Sequence, residues 1–358
     1  MNKVTLLVNG VLFSGWKSVS IKKSLKSIVG SFDLVYTDVW NYTNEPWRIK
    51  QEDRCEVFID DELVCTAYVD AVESSISDSD KTLTVRGRDI TCDLVDCSTD
   101  IKQVEFKNQK ADKIIQALAQ PFGIKVITDV DPGPVFSVWT IQRTETPYEN
   151  MVKIANKRGL LLITDEKGQL VITSVKSQRA ANPIIEGKNA KQVSASFDAT
   201  KRFSRYKVQT QSSGSAIAED EDADVESFIT GIEGSAQDNV VRRYRPTIIK
   251  LDNSGTEADA RRRAQWEATI RAAESTQVGV VVQGWRQSGG SLWRTNLITK
   301  VTSQWCGIDD DMLIDQIEYS LDNDSGTVTR MDLVPPTSYL PQPTIEKKQA
   351  VGLWKELN

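Results

Sequence analysis

Apolar and polar residues alternate from the start of the chain. Val4, Leu6 and Val8 take every second position, and Asn9-Gly10 is a two-residue hairpin signal leading into Val11-Leu12-Phe13. Cys55 to Ile59 and Leu63 to Tyr68 flank the acidic turn Asp60-Asp61-Glu62. Ala71 to Ile76 and Thr82 to Val85 flank a polar turn around Asp78-Ser79-Asp80. This spacing predicts a meander of short strands, of sandwich or barrel type, up to about residue 95. The stretch from Gly15 to Trp40 is less regular. Its β-branched and aromatic residues disfavour a helix, and its lysines disfavour a buried strand. Phe32, Leu34 and Tyr36 are read as inward positions, and the basic middle as a solvated edge or contact surface.

Between about 100 and 175 the period changes. Ala111, Ile114, Ile115 and Leu118 fall at helical spacing, with Pro121 and Gly123 ending the helix. Thr146-Pro-Tyr-Glu149 is a capping box with proline at the first helical position. Met151, Ile154 and Ala155 line the inner face, and Gly159 closes the helix. Ile124 to Ile127 is a short strand, and Leu160 to Thr164 and Gln169 to Thr173 form a hairpin. Alternation returns at Val193, Ala195 and Phe197, and at Tyr206, Val208 and Thr210. Residues of about 212–238, with the acidic run Glu219 to Asp224, are expected to be a long mobile loop. Thr256 caps a helix to about Ser275 that carries Ala260, Ala264, Trp266, Ile270 and Ala273. Val278 to Gly284 is a strand, and the prolines after Pro335 predict an extended tail.

Two parts of the chain resemble each other. Val69, Val72 and Thr82 correspond to Ile314, Ile317 and Thr327 at an offset of about 245 residues, and Trp47-Arg48 to Trp293-Arg294. A fixed offset predicts a structural duplication, with an α+β module between the copies.

Composition narrows the chemistry. There is no histidine, which removes Ser-His-Asp and Cys-His nucleophiles and the commonest zinc ligand. Cys55, Cys65, Cys92, Cys97 and Cys306 form no C-x-x-C and are read as reduced thiols. A net charge of −6 argues against a dedicated DNA-binding surface. The N-terminus reads as strand and turn rather than a signal peptide, and no apolar run reaches the ~18 residues of a membrane span. Glu219 to Asp224 lacks the spacing of a calcium loop, and Asp309-Asp310-Asp311 converges poorly on a metal. Arg261-Arg262-Arg263 and Arg242-Arg243-Tyr244-Arg245 are read as solvated or as ion-pairing to a neighbouring subunit rather than to phosphates. No catalytic, cofactor-binding or metal-ligating residue is assigned.

The order Gly15-Trp16, Ser31-Phe-Asp-Leu34, Thr146-Pro-Tyr-Glu149, Gly290-Ser-Leu-Trp293, Asp311-Met-Leu-Ile314, Gly326-Thr-Val-Thr329 and Asp332-Leu333 resembles the baseplate hub protein of Mu-like contractile-tailed phages. It is similar also to the late-control D proteins and the hub part of type VI secretion spikes. The resemblance implies a structural virion protein and no enzyme. It implies an α+β, mainly β fold with two tail-tube-like barrels: 1–97, an α+β module at 98–180, a second barrel at 181–335 and a tail at 336–358. The implied assembly is a homotrimer with pseudo-six-fold symmetry. It would join tail tube to central spike and other baseplate proteins, pass DNA only in transit, need no cofactor, and be made in the host cytoplasm. The alternative is a tail-associated cell-wall hydrolase using paired carboxylates, or a carbohydrate-binding β protein using exposed tryptophans such as Trp285 and Trp305.

Overall fold

The computed structural model describes residues 3–39, 49–77, 80–210, 232–251 and 255–343. The chain falls into two units, residues 1–197 with 276–336, and 198–275 with 337–358.

In the first unit, alternation produces β1 (Val4–Val8), β2 (Val11–Ser14), β3 (Ser18–Ser24), β4 (Ser31–Val39), β5 (Arg54–Ile59), β6 (Glu62–Ile76) and β7 (Asp80–Asp89). Asn9 and Gly10 both take positive φ, as the two-residue hairpin requires. Leu6, Ile21, Leu34, Val57 and Val85 are buried on the inner face, each worth about 1.5–3 kcal/mol of transfer free energy. Phe32 and Leu34 point inward as their spacing predicts, and Tyr36 packs against the same core.

The middle module follows. It comprises α1 (Asp93–Asp96), β8 (Glu105–Gln109), α2 (Ala111–Ala119), β9 (Val126–Thr128), β10 (Phe136–Thr140), α3 (Pro147–Arg158), β11 (Leu161–Thr164) and β12 (Leu170–Thr173). Ile114, Ile115 and Leu118 of α2 meet Met151 and Ile154 of α3 in a second core. The Thr146–Glu149 capping box forms in both directions, and Gly159 closes α3 in the left-handed region. β8 and β10 carry no clear apolar period, so their sequence alone does not mark them as strands.

The chain then supplies β13 (Ile184–Ile185) and β14 (Ala190–Phe197) to the first unit. The second unit holds β15 (Arg205–Thr210), β16 (Ile232–Gln237), β17 (Pro246–Lys250) and α4 (Glu257–Glu274). Here β15 lies between β16 and β17, and Tyr206 and Val208 pack with Ala260 and Ala264. The expected acidic loop lies outside the described residues from 211 to 231, and its last part, Ile232–Gln237, is a strand rather than loop. The chain returns to the first unit through β18 (Thr276–Gln283), β19 (Ile298–Ser303), β20 (Ile308–Asp322) and β21 (Gly326–Val334). The start of the expected extended tail is a short 3-10 turn, Pro336–Tyr339.

The two halves of the first unit follow one path. Hydrogen bonds join β3–β4–β7–β6–β5 in the first half and β14–β18–β21–β20–β19 in the second. β6 and β20 are both 15 residues long, and each carries one extra residue against its neighbour. That residue is Asp70 in β6, between Val69 opposite Gly87 and Ala71 opposite Arg86. In β20 it is Asp315, between Ile314 opposite Leu333 and Gln316 opposite Asp332. Both bulge aspartates face a cation, Asp70 on Arg88 at 2.7 Å and Asp315 on Lys26 at 2.8 Å. The duplication is therefore present in register as well as in composition. The turn after β6 shifts the correspondence by one residue, so Thr82 matches Val328 rather than Thr327. Trp47, the expected mate of Trp293, lies outside the described residues.

Neither half closes into a barrel among the described residues. Their strands join in a single open 13-stranded sheet. The cause is strand length. β19 pairs only Ile308–Leu313 of β20, and beyond the bulge the remaining residues Gln316–Leu321 pair with β3. β3 is accordingly an interior strand, not the solvated edge its lysines suggest.

Candidate functional site

The seam between the two halves carries buried charge. Lys23 on β3 points beneath the sheet, with Nζ at 2.8 Å from both oxygens of Asp89 at the end of β7. Asp89 also accepts from Gly30 N–H at 2.7 Å and from the Cys65 thiol at 3.0 Å. Burial works to lower the Lys23 pKa, but the Asp89 carboxylate outweighs it and holds the ammonium above its ordinary value. Gly30 has no room for a side chain, since a Cβ would sit 2.6 Å from Asp89 Oδ2. On the other side of the seam, Arg286 bridges Asp60 at 3.1 Å and Glu62 at 3.0 Å, and Arg294 binds Glu62 at 2.7 Å and also Glu166 of the middle module. Burial works to raise the Glu62 carboxyl, while Arg294 and Arg286 bring it below its ordinary range. Thr91 and Thr164 hydroxyls both donate to the Ile28 carbonyl, at 2.8 and 2.5 Å, joining the module to the first half.

A cavity of about 560 Å³ opens here, between Lys23, Asp89, Asp165, Arg294 and Tyr319. Its cations are engaged: Lys23 with Asp89 and Lys176 with Asp129 at 2.8 Å across the lining, and Arg179 with Asp311 outside it. The Tyr319 hydroxyl donates to the Trp293 carbonyl. The arrangement clamps three segments together and leaves no acid–base pair poised for catalysis.

The three buried thiols, Cys55, Cys65 and Cys92, are held protonated by their environment. Burial pushes Cys55 and Cys92 up to about 12 each, and burial with the Asp89 carboxylate beside it raises Cys65 well above its ordinary value. No two cysteines are bonded. Among the described residues no cluster of three or more acidic or thiol groups could hold a metal, and no helix is long and apolar enough to cross a membrane.

The groups singled out from the sequence are dispersed. Asp309 lies on Lys300 and Asp311 on Arg179, each lowered in pKa first by that cation. Arg261, Arg262 and Arg263 pair within their own helix, to Glu257, Asp259 and Glu267. Arg245 donates to the Ala199 and Thr200 carbonyls. Glu219 to Asp224 lie outside the described residues. Trp285 is fully buried, its Nε1–H shared between the Ser320 and Val328 carbonyls at 3.1 Å. It is a core residue, which corrects its reading as an exposed sugar platform. Trp305 is 90% exposed.

Of the strand edges left open among the described residues, two belong to the duplicated strands. β6 beyond its bulge, Ala71–Ile76, pairs only with β7, and β14 pairs with no strand but β18. Ile76 and Phe197, at the ends of these edges, are 64% and 61% exposed. Paired internal charges, three thiols held protonated by burial and open edges on a doubled sheet are features of a structural assembly protein.

Comparison with known proteins names the assembly. Residues 3–89 match the family "Mu phage baseplate assembly protein GpP-like, N-terminal", residues 91–174 "Baseplate hub protein gp44-like, second domain", and residues 256–342 "Mu phage baseplate assembly protein GpP, fourth domain". The baseplate hub protein gp44 of Escherichia phage Mu is 30% identical, covering 98% of this chain and 92% of that protein. The crystal structure of the 43 kDa tail protein of prophage MuSo2 from Shewanella oneidensis is 34% identical with a TM-score of 0.83, covering 95% of this chain and 100% of that one. A tail protein from Neisseria meningitidis MC58 shares the fold at TM-score 0.77 and 22% identity, covering 95% and 98%. The chain belongs to the baseplate hub proteins of Mu-like phages: a structural component of the virion tail, not an enzyme.

Proposed function

We propose that three copies of this chain form a ring with pseudo-six-fold symmetry at the centre of the baseplate. The ring adapts a six-fold tail tube above to a three-fold central spike below, and DNA leaves through its channel. In this reading 1–97 and 181–335 are the two tube-like domains, 98–180 is the module between them and 336–358 is the tail. The chain is made and assembled in the bacterial cytoplasm before joining the virion.

The observation that carries the reading is the repeated strand path with its two matched bulges, Asp70 and Asp315. One chain thus offers two similar β units, and three chains offer six. Heterologous contacts between such units close into rings. Native mass spectrometry should give three times the 40.0 kDa chain mass, and class averages by electron microscopy should show six similar lobes around a hole. A monomer or a two-fold dimer at micromolar concentration overturns the trimer.

A further inference from the structure

The contact between the two halves within the chain is a template for the contact between chains. At the internal seam, β20 beyond its bulge pairs antiparallel with β3: Glu318 faces Lys22, Tyr319 faces Ile21, Ser320 faces Ser20 and Leu321 faces Val19. The Leu25 N–H donates to the Asp315 carbonyl at 2.8 Å. This sets the phase of the ladder, so Tyr319 and Leu321 turn their N–H and C=O groups toward β3 while Glu318 and Ser320 bring side chains together. The Ser20 hydroxyl donates to Glu318 at 2.6 Å accordingly.

By the duplication, the counterpart of β20 is β6 and the counterpart of β3 is β14. Both counterparts are present and neither has the other as a partner: among the described residues Ala71–Ile76 pairs only with β7, and β14 only with β18, its Val193 carbonyl accepting from the Cys306 thiol at 3.6 Å. The residues that would meet are half-buried or exposed, whereas the inward-facing counterparts Val19, Ile21, Ile317 and Tyr319 are covered. Val19 and Ile21 of β3 are 1% and 0% exposed, but Val193 and Ala195 of β14 are open to solvent in part. Unpaired edges this long invite another strand.

We propose that the open edge of β6 in one copy receives β14 of the next copy, antiparallel and in the register of the β3–β20 seam. Transferring that register places Ile76 opposite Val193, Ser75 opposite Ser194, Ser74 opposite Ala195, Glu73 opposite Ser196 and Val72 opposite Phe197. The two exposed apolar side chains at the ends, Ile76 and Phe197, each gain an apolar partner. A single sheet would then run through every copy of the assembly. The inference rests on the ring reading above, and specifies the surface and register that reading leaves open.

Ser75 and Ser194 form a close, non-hydrogen-bonded pair in this register, the geometry in which cross-strand Cβ atoms come within about 4.5–5.5 Å. The full-length chain carrying Ser75→Cys and Ser194→Cys, with Cys97→Ser and Cys306→Ser to remove the accessible thiols, should oxidise to dimer and trimer bands on a non-reducing gel. Each single cysteine variant should stay monomeric on the gel. So should Ser75→Cys with Ala195→Cys, which places the second thiol on the opposite face. Ser74→Pro removes one outward N–H from the edge and should shift the native mass toward monomer while leaving the circular dichroism spectrum unchanged. A native trimer that yields no Ser75–Ser194 cross-link, or is unaffected by Ser74→Pro, overturns this pairing and leaves the ring standing. A native monomer overturns both.

Discussion

Lys23→Met tests whether the buried seam pair holds the first unit together. Lys23 contacts both carboxylate oxygens of Asp89 at 2.8 Å, and the Asp89 side chain is fully buried. Breaking a buried pair from one side costs about 3–5 kcal/mol, because the remaining charge is left uncompensated. The Gly30 N–H and the Cys65 thiol still donate to Asp89 in the variant, which places Lys23→Met toward the lower end of that range. Asp89→Leu should cost more, since the Gly30 N–H also loses its acceptor, an orphan worth about 1–3 kcal/mol. The double variant removes both charges and leaves only that orphan, so it should be destabilised by less than the sum of the two. Urea unfolding followed by far-ultraviolet circular dichroism measures the three, and a coupling below about 0.5 kcal/mol would refute the reasoning. The pair also predicts a pH dependence. The folded-state pKa of Lys23 lies above the unfolded value of 10.5, so its stabilisation is complete below that pH and is lost as pH rises through the folded value. Wild type should therefore lose more stability than Lys23→Met on going to strongly alkaline buffer.

Trp285→Ala should cost about 3–5 kcal/mol of stability from the cavity it leaves, and Trp285→Phe about 1–3 kcal/mol from two weakened carbonyl bonds; Trp305→Ala, at an exposed position, should stay within about 0.5 kcal/mol in the same thermal melts. Gly234→Ala should loosen the second unit selectively, because a Cβ there would sit 2.2 Å from the Arg261 backbone nitrogen of α4; hydrogen exchange faster in β16 and α4 than elsewhere would report it, and unchanged exchange would contradict it.

Much of the local structure was legible in the sequence. The hairpin at Asn9-Gly10, the α2 and α3 periods and the capping boxes at Thr146 and Thr256 depend on neighbours a few residues apart, and those neighbours are adjacent in the text. The duplication was legible too, because both copies keep the same run around the bulge, Val69-Asp-Ala-Val72 and Ile314-Asp-Gln-Ile317, with an aspartate at each bulge. The sequence alone placed the chain among the Mu-like hub proteins through local runs such as Thr146-Pro-Tyr-Glu149 and Gly326-Thr-Val-Thr329. It misled where a residue's environment comes from far along the chain. The lysines of β3 read as a solvated surface, yet the strand is interior because β20, some three hundred residues away, outruns its own neighbour β19 and pairs with it. Lys23 is tolerated there only because Asp89 arrives from the end of β7. Trp285 reads as a surface platform until the Ser320 and Val328 carbonyls close over it. Alternation tells which residues share a face, but only strand length and pairing decide whether that face meets water, a barrel interior or another strand. The open edges of β6 and β14 follow from the same rule: periodicity built the strands, and the tertiary structure left them unpaired.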